Sequence, residues 1–465
     1  MEKSQNRKPF QALRDLFHPV DLTHGTCWRT ILQFSLPVIL SYLLQQVYTI
    51  SDAAIVGQTL TAQEVAGVND TTSLVFIFLQ FAFGVSAGFC VITSCCVGCR
   101  DQAGVRRSMA AQLVLSAGLT VLLTALALVL LNPMLAWINV TPENPEVYRA
   151  AYTYCGIIFA GIGAQLFYNF ICSFLRSMGD SVTPLLFLLG STVLNVALDL
   201  LFILVLRWGV AGAAGATVTA QLISTVACFA YAFSKYPDLR LHKEDWRITG
   251  LDLKRHIVQG VPLGLQFSVL AIGIIVMQSV VSVMTAGMNG ILIAFSQTAV
   301  NVLGVYFKLQ TFVFMPVFGL NNGMVPIVSY NYGARKRKRL VDTVKFSALL
   351  AVAIMLVGLV VIQLFPANIL GLFEASPDML AIGVPALRII SLCFVFAGFS
   401  IICSSTFQAL GNGLLSMMIS IVRQLLILLP AAFFLSLSGS VTAVWWAFPI
   451  AELASLALCV IFLRR

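Results

Sequence analysis

Three residues with acid or amide side chains lie inside segments that are otherwise apolar enough to cross a membrane. Asp52 lies in the run 31–57, and Asn195 and Asp199 lie in the run 185–206. A charged side chain at the depth of the hydrocarbon costs at least about 2.5–3.5 kcal/mol, so an acid found there indicates a functional site. Carboxylate and amide oxygens of this kind bind protons or hard cations.

The spacing of these residues predicts that they meet. Asn195 and Asp199 are four residues apart, which places them on one face of a helix, one turn apart. Counted at about 1.5 Å per residue, Asp52 and Asp199 both fall in the outer half of the bilayer, with Thr217 at a similar height. Two carboxylates in a poorly solvated pocket cannot both stay ionised cheaply. We therefore expect one pocket that takes up H⁺ or Na⁺, with Asn195 and Thr217 supplying neutral groups.

A structural role is the alternative for the same acids. Asp199 would then only hydrogen-bond Asn195 or a neighbouring backbone group, and Asp52 would only cap a bent helix near the outer surface.

The composition of the whole chain is that of a membrane protein. Of its 465 residues, 59% are hydrophobic and 10% are charged, against about 25% charged residues in soluble domains. Apolar runs of about 20 residues or more recur about twelve times, which predicts an all-α polytopic membrane protein with twelve transmembrane helices. The run 292–328 is longer than one span requires, so we expect part of it to be interfacial or loop. The predicted spans are 31–56, 68–96, 108–131, 150–173, 184–206, 211–233, 257–284, 292–328, 344–365, 384–406, 414–436 and 441–463.

Motifs of the first half recur in the same order in the second half. FAFGVSAGF at 81–89 parallels MPVFGLNNGM at 315–324, and Gly-Cys-Arg at 98–100 parallels Gly-Ala-Arg at 333–335. This repeat predicts two six-helix bundles, an N-lobe and a C-lobe, related by a pseudo-two-fold axis along the membrane normal. The predicted domains are a cytoplasmic N-terminal segment at 1–30, the N-lobe at 31–234, a cytoplasmic linker at 235–256 and the C-lobe at 257–465.

The acids do not follow the repeat. When the two halves are aligned on these motifs, Asp52 and Asp199 have apolar counterparts in the second half. A residue needed only to build a bundle should tend to occur in both copies, so the asymmetry favours a functional role in the N-lobe.

Lys and Arg residues concentrate on one side of the predicted topology. They lie in the N-terminal segment, in the loop near residue 100, at Arg176 in the next loop of that side, in 235–255 and 335–345, and at the C-terminus. The positive-inside rule places these loops and both termini in the cytoplasm, with the protein in the plasma membrane. The run RKRKR at 335–339 is interpreted as topogenic charge in contact with anionic lipid rather than as a nucleic-acid site.

Further polar residues within the spans predict a wet central cavity. Arg423 and Glu452 are expected to form a structural ion pair in the second half. The chain has four histidines, all outside the spans, and neither a Gly-rich phosphate loop nor a His pair with metal-ligand spacing. We therefore expect a protein that is not an enzyme and has no cofactor or bound metal other than a possible Na⁺. The possible substrate-cavity residues are Gln45, Gln46, Gln165, Asn169, Gln278, Asn301 and Lys308.

Several stretches together match one known family. They are Pro37 with DAAIVGQ at 52–58, RSMGDSVTP at 176–184, NVALD at 195–199 followed by GVAGAAGATVTAQ at 209–221, and KLQTFVFMPVFGLNNGMVPIVSYNYGARK at 308–336. Through them the chain resembles the multidrug and toxic compound extrusion (MATE) family from about Thr30 to Arg465. The resemblance implies two bundles around a cavity that opens alternately to each side, and export of organic cations and other amphipathic drugs in exchange for H⁺ or Na⁺.

The same resemblance bears on the site and the partners. It places the N-lobe cation site of bacterial members on Asp52, Asn195, Asp199 and Thr217. Some members carry further acids in spans seven and eight; their absence here concentrates coupling in the N-lobe. We expect small amphipathic or cationic substrates, contact with membrane lipids, no nucleic acid and a monomer.

Three other functions fit parts of the pattern. A flippase for a lipid-linked precursor, or a metabolite exporter, of the same superfamily would share the bundles but often carries extra spans and a strongly basic cavity. A membrane-embedded acyl or glycosyl transferase needs His or Asp clusters at a membrane face. A channel agrees less well with a two-fold repeat that carries acids in one half only.

Overall fold

The computed structural model describes the backbone of residues 21–138, 140–236, 240–286, 292–373 and 376–464, and most of their side chains. The side chains outside the description are those of 270, 271, 273–286, 292–297, 300 and 464. Every regular element in the described ranges is a helix. This follows from the composition, because a segment that crosses a lipid bilayer must satisfy its own backbone hydrogen bonds.

The described residues of the first half, 21–138 and 140–236, form eight helices and one π-helical turn. Thr61 and Glu64 form a capping box at the start of the second helix, and Asp101 caps the third through a 2.9 Å bond from the Gly104 amide. The helices are α1 (Cys27–Thr59), α2 (Ala62–Gly98), α3 (Gln102–Val129), α4 (Leu131–Trp137), α5 (Pro145–Ala160), α6 (Ile162–Ser177), α7 (Val182–Asp199), which continues into the π-helical turn Leu200–Val205, and α8 (Val210–Lys235).

The second half repeats this order, and the part of it that the structure describes has ten helices and a second π-helical turn. They are α9 (Gly250–Ala286), α10 (Leu292–Gly333), α11 (Arg337–Leu364), α12 (Pro366–Gly371), α13 (Pro377–Ser391), α14 (Phe394–Ala409), α15 (Gly413–Ile421), the π-helical turn Val422–Leu428, α16 (Leu429–Ser436), α17 (Val441–Trp445) and α18 (Ala447–Arg464).

Within the described residues, nine helical segments are long and apolar enough to cross a membrane, and two bent pairs raise the number to eleven. α9 corresponds to the remaining predicted span, 257–284, but is not among the eleven. The bent pairs are α5 with α6, at 44°, and α13 with α14, at 45°. Each pair occupies what the sequence predicts as one straight span.

The two bends fall at equivalent positions of the repeat. The first lies at Gly161 and the second at Cys393. Gly161 precedes Gly179 by as many residues as Cys393 precedes Gly411. Gly179 and Gly411 themselves share a φ of +87°, a value that favours glycine. The internal repeat therefore extends from the motifs to the shape of the helices.

The long apolar run at 292–328 is continuous helix, so no part of it forms the loop that was one of the two expectations, and the interfacial alternative remains. α10 has 42 residues and contains Pro316 and Pro326. At about 1.5 Å per residue it measures about 63 Å, more than a bilayer is thick. Proline removes one backbone hydrogen bond, but neighbouring helices can compensate for that loss in a membrane bundle, so the helix does not end there.

The two halves pack together most closely at one end of the molecule, which we call the basic end. It comprises the start of α1, the turn between α2 and α3, the start of α9 and the turn between α10 and α11. A Cβ atom on Gly98 would lie 2.0 Å from the Tyr330 carbonyl oxygen, and one on Gly333 would lie 2.2 Å from that of Cys95. The ends of α2 and α10 thus touch backbone to backbone, which small residues allow in membrane helices.

Glycines about three turns earlier in the same helices extend this contact. A Cβ atom on Gly88 of α2 would lie 2.7 Å from the Cα atom of Gly260 in α9, and one on Gly323 of α10 would lie 2.3 Å from Oγ of Ser35 in α1. Each half therefore contributes one glycine-bearing helix that packs against the first helix of the other half.

Polar contacts join the halves at the same end. Arg339 of α11 donates hydrogen bonds to the carbonyl oxygens of Leu22 (3.0 Å), His24 (2.6 Å) and Gly25. Asn331 of α10 also donates to the Leu22 carbonyl, at 3.1 Å, and the Leu22 side chain is fully buried among residues of the second half. We call residues 22–25 the N-terminal clasp, because they precede α1 but are held by the second half.

The start of α9 is held by the first half in a similar way. The Arg106 Nε atom of α3 lies 3.2 Å from a carboxylate oxygen of Asp245, just before α9. Deeper in the contact, buried His256 and Ser108 are hydrogen-bonded at 2.9 Å, and Ser108 and Thr93 are also 2.9 Å apart. The basic end is consequently closed on both sides of the pseudo-two-fold axis.

Candidate functional site

The packing of α1 against α7 brings two acids together. Asp52 lies in the last third of α1, and Asp199 is the last residue of α7, directly before the π-helical turn Leu200–Val205. Their carboxyl groups are close enough to interact electrostatically. π-helical turns interrupt helices frequently at functional sites, so both the pair and its position point to function.

Asn195 and Thr217 complete this group. Asn195 and Asp199 are both fully buried on one face of α7. The Asn195 Nδ2 atom donates a hydrogen bond to Oγ1 of Thr217 in α8, at 3.5 Å. This bond uses one hydrogen of the amide NH₂ group and leaves the carbonyl oxygen of Asn195 available for another partner. The structure thus brings together all four residues that the sequence grouped.

Buried acceptor oxygens in this group have no donor. They are Oδ1 of Asp52, Oδ1 of Asn195 and both carboxylate oxygens of Asp199. Buried side-chain oxygens are normally hydrogen-bonded, so four such oxygens in one place call for a proton or a cation. The purely structural alternative requires Asp199 to accept a hydrogen bond from Asn195 or from a neighbouring backbone group. Neither carboxylate oxygen of Asp199 accepts one.

Two tyrosines flank the acids and were missed by the sequence interpretation. Tyr48 and Tyr154 each interact electrostatically with both Asp52 and Asp199. Tyr48 precedes Asp52 by four residues on α1, so helical spacing was a signal for it. Tyr154 lies on α5, and nothing in its local sequence indicates the contact, which arises only when α5 packs against α2 and α8.

Two of the residues predicted to line the substrate cavity are hydrogen-bonded to each other. Gln165 Nε2 donates to Asn169 Oδ1 at 3.4 Å. Lys308 Nζ lies 6.0 Å from the centre of the Phe373 ring. The side chain of Gln278 lies outside the described residues. The remaining three, which make no described side-chain hydrogen bond, are Gln45, Gln46 and Asn301.

The acid and base expected to pair in the second half do meet. Arg423 Nη1 lies 2.7 Å from Glu452 Oε1, and both side chains are largely buried. Arg423 belongs to the π-helical turn Val422–Leu428, and Glu452 belongs to α18. The opposite charges compensate each other, although the second carboxylate oxygen of Glu452, Oε2, is buried without a hydrogen-bond partner.

Arg176 lies elsewhere than the sequence predicted. It was expected in a loop, but it belongs to the last turn of α6 and is half-buried. It interacts electrostatically with Tyr42 of α1 and Cys90 of α2, both inside the bundle. The reason is that α6 ends one turn later than the hydropathy indicates, so the side chain points back along the helix rather than into solvent.

Metal-binding clusters are not a feature of the described part of the chain. No group of three or more His, Cys, Asp or Glu residues there could hold a metal ion.

Comparison with known proteins decides the family. The MatE family model matches residues 37–201 and 273–434, one segment in each half of the chain. The chain belongs to the MATE family. It is therefore a transporter and not an enzyme.

Relatives of known name extend along most of this MATE transporter. "Probable multidrug resistance protein YpnP" of Bacillus subtilis is 28% identical over 404 residues, which cover 86% of this chain and 87% of that protein. "Multidrug export protein MepA" of Staphylococcus haemolyticus is 22% identical over 446 residues, or 95% and 94% of the two chains. A solved outward-facing structure of a multidrug resistance MATE family transporter shares the fold, with a TM-score of 0.85, 23% identity, and 96% and 97% coverage.

Proposed function

We propose that this MATE transporter exports organic cations and other amphipathic drugs in exchange for H⁺ or Na⁺. The relatives that carry multidrug names support the substrate class. The observation that carries the coupling mechanism is the set of four buried acceptor oxygens without donors on Asp52, Asn195 and Asp199. We call these residues with Thr217 the cation site.

The cation site couples through charge. With no cation bound, two carboxylates face each other in a poorly hydrated pocket and repel. A proton or Na⁺ removes this repulsion, because it gives the free oxygens the partner they lack. Since the oxygens come from α1 and α7, and Thr217 from α8, loading changes how these three helices pack. That change weakens drug binding between the halves, and release of the cation on the other side resets the carrier.

The closed basic end supports a cavity that opens to the outside of the cell. If the basic end is cytoplasmic, as the positive-inside rule requires, closure there leaves a cavity between the halves that opens to the outside. The lobes in this proposal are residues 31–234 and 257–465. They work as a monomer in the plasma membrane, with lipids as the other partners.

Transport assays in proteoliposomes test the proposal. Ethidium efflux is measured under an imposed pH gradient and, separately, under an imposed Na⁺ gradient. We expect one gradient to drive efflux in the wild type, and both Asp52→Asn and Asp199→Asn to fall to the rate of empty liposomes. Asp70→Asn is the matched control, because Asp70 is an exposed acid on α2 and its loss leaves the cation site intact.

The results separate the possibilities. Wild-type efflux in both site variants would refute the cation site as the coupling element. Folded wild-type protein without efflux under either gradient would instead favour the flippase or metabolite exporter of the same superfamily.

A further inference from the structure

A buried histidine lies in the contact between the two halves at the basic end. His256 belongs to the second turn of α9 and is 2% exposed. Its Nε2 atom lies 2.9 Å from Oγ of Ser108 on α3, in the other half, and its ring centre lies 5.9 Å from that of Phe89 on α2. His256 directly precedes the predicted span 257–284 and is not part of the cation site. The imidazole is thus a titratable group enclosed between the halves.

The hydrogen bonds of His256 fix the position of its hydrogen. The Nδ1 atom lies 2.8 Å from the Asp252 carbonyl oxygen, which can only accept, so Nδ1 carries the hydrogen. In the neutral ring Nε2 is then an acceptor, and the Ser108 hydroxyl donates to it. Neutral His256 is therefore satisfied at both nitrogens while the basic end is closed.

Three buried side chains of the first half continue this chain of hydrogen bonds. Oγ of Ser108 lies 2.9 Å from Oγ1 of Thr93. The Gln112 Nε2 atom donates to Thr93 Oγ1 at 2.7 Å and to Ser108 Oγ at 3.1 Å, while the other end of its amide accepts from the Cys90 thiol at 3.4 Å. The hydrogens therefore point toward His256 along the whole chain. We call His256, Ser108, Thr93 and Gln112 the histidine latch.

The histidine latch cannot hold a second hydrogen on the imidazole without losing a hydrogen bond. Protonated His256 donates from Nε2, so the Ser108 and Thr93 hydroxyls must both reverse. The Thr93 hydroxyl would then point at the NH₂ group of Gln112, which cannot accept. A buried donor without an acceptor is costly, and a buried charge adds to that cost.

The charges around the histidine latch do not compensate an imidazolium. The Asp252 carboxylate acts on the ring, but it already accepts from the Thr249 amide at 3.1 Å and the Thr249 hydroxyl at 2.7 Å. Charged side chains are absent from α15 and from the facing stretches of α2 (84–98) and α10 (309–333). The other charged side chains near the start of α9 are Arg106, which is paired with Asp245, and Arg107 and Arg255, whose charges act on Asp252.

We propose that the histidine latch is a second proton-binding site, separate from the cation site, and that protonation of His256 releases the latch and favours the open basic end. The proton comes from the side on which the basic end lies, which is the cytoplasm in the orientation proposed above. The histidine latch acts in this way whichever cation drives export, so the transporter responds to cytoplasmic pH even with Na⁺ as the coupling ion.

The direction of the pH dependence follows from burial. Burial lowers the pKa of His256 below its ordinary 6.5 in the closed state, although the Asp252 charge acts in the other direction. When the halves separate, the ring is hydrated and its pKa returns toward 6.5. The open state therefore binds more protons as pH falls, so closure is fully stabilised above about pH 6.5 and weakens below it.

Spin-label distances measured at two pH values test the histidine latch. Labels attached to a non-natural amino acid at Gln102 of α3 and Leu251 of α9, both exposed, report the separation of the halves in lipid nanodiscs by double electron–electron resonance. Every protein in this test carries Asp52→Asn and Asp199→Asn, so that the cation site does not titrate and the result does not depend on the proposed coupling.

The expected shift follows from the titration of a hydrated imidazole. At pH 5.5 such a ring is protonated about ten times more often than it is neutral. Between pH 8 and pH 5.5 the ratio of open to closed basic end should therefore rise at least about threefold and at most about tenfold. His256→Gln, which cannot be protonated, should reduce this change to less than about twofold.

Two further variants control the test. His242→Gln is the matched control, because His242 is exposed near the same end, and it should keep the full pH dependence. Ser108→Asp gives the imidazolium a carboxylate partner, so acid should now favour the closed basic end, and this reversal keeps the test valid if His256→Gln does not fold. A ratio that does not change with pH in the labelled parent protein, or a change that persists in His256→Gln, would overturn the inference. An unreversed dependence in Ser108→Asp would do the same. None of these outcomes affects the efflux assay, so cation export would stand.

Discussion

A methyl group added at Gly98 is expected to force open the basic end. Gly98 and Gly333 form a reciprocal contact in which the backbone of each helix lies where a Cβ atom of the other would be. A Cβ atom on Gly98 would lie 2.0 Å from the Tyr330 carbonyl oxygen, against an ordinary contact of 3.4–4 Å. The obstacle is backbone within a helix, so no side-chain rotation can relieve it.

The free-energy cost of Gly98→Ala follows from the distance between the added Cβ atom and the Tyr330 carbonyl oxygen. The ends of α2 and α10 must separate by roughly 1.4 Å before Gly98→Ala fits. Overpacking of this kind costs about 1–3 kcal/mol. Because the strain exists only when the two halves are in contact, it shifts the balance from closed to open basic end by a factor of about 5 to 150.

Spin-label distances measure the shift directly. Labels attached to a non-natural amino acid at two exposed positions, Gln102 on α3 and Lys338 on α11, report the separation of the halves at the basic end and leave the eleven native cysteines untouched. Double electron–electron resonance should show a single short distance in the wild type. Gly98→Ala should add a longer one.

The matched control is Gly118→Ala. Gly118 lies on α3, and a Cβ atom there meets nothing within 4 Å, so the distances should match the wild type. An unchanged distance distribution in Gly98→Ala, in folded protein with an unchanged melting temperature, would refute the conclusion that this glycine contact is needed to close the basic end.

Three further predictions concern single side chains. Arg339→Gln removes hydrogen bonds that hold the N-terminal clasp, so amide hydrogen exchange in residues 21–30 should become at least about tenfold faster; Lys338→Gln, at an exposed position, should leave it unchanged. Thr217→Val leaves the buried Asn195 Nδ2 group without its acceptor, so the concentration of coupling cation for half-maximal efflux should rise about 5- to 150-fold. Thr217→Ser should preserve it, and equal effects of Val and Ser would contradict the hydrogen bond. Burial acts to raise the pKa of Asp245, but the His242 amide and the Arg106 charge outweigh it and hold this pKa below the ordinary 3.8. The bridge to Arg106 therefore stabilises the closed basic end above pH 3.8 and is lost as pH falls through the lower folded pKa, so the melting temperatures of wild type and Asp245→Asn should converge below about pH 3.8; a difference that persists there would contradict the assignment.

Several features of this protein could be read from the sequence because they are local. Hydropathy is a property of each segment, so it predicted a helical membrane protein, and eleven of the twelve predicted spans pass the length and hydropathy test among the described residues. The positions of the bends at Gly161 and Cys393 were not predicted, although they obey the same repeat as the motifs. The sequence left open whether the run 292–328 is one helix, and the structure shows that α10 continues through both of its prolines.

Part of the cation site could also be predicted from the sequence, because some of its features are local. Asn195 and Asp199 are neighbours on one helix, so their spacing alone placed them together, and the cost of burying Asp52 singled it out. The sequence could not establish that Asp52 and Asp199 face each other, or that Tyr154 lies near them, because those interactions depend on how α1 packs against α7 and α5 against α2 and α8.

The tertiary structure alone decided where charges without an obvious partner lie. The sequence indicated only that Arg176 is a basic residue near the end of a span and that Arg339 belongs to the basic run 335–339. The fold places the first inside the bundle, near the boundary between the halves, and joins the second to the N-terminal clasp across more than 300 residues of chain. Residue type and spacing determine which chemistry a side chain can perform, but its neighbours are set by the packing of helices that are distant in the sequence.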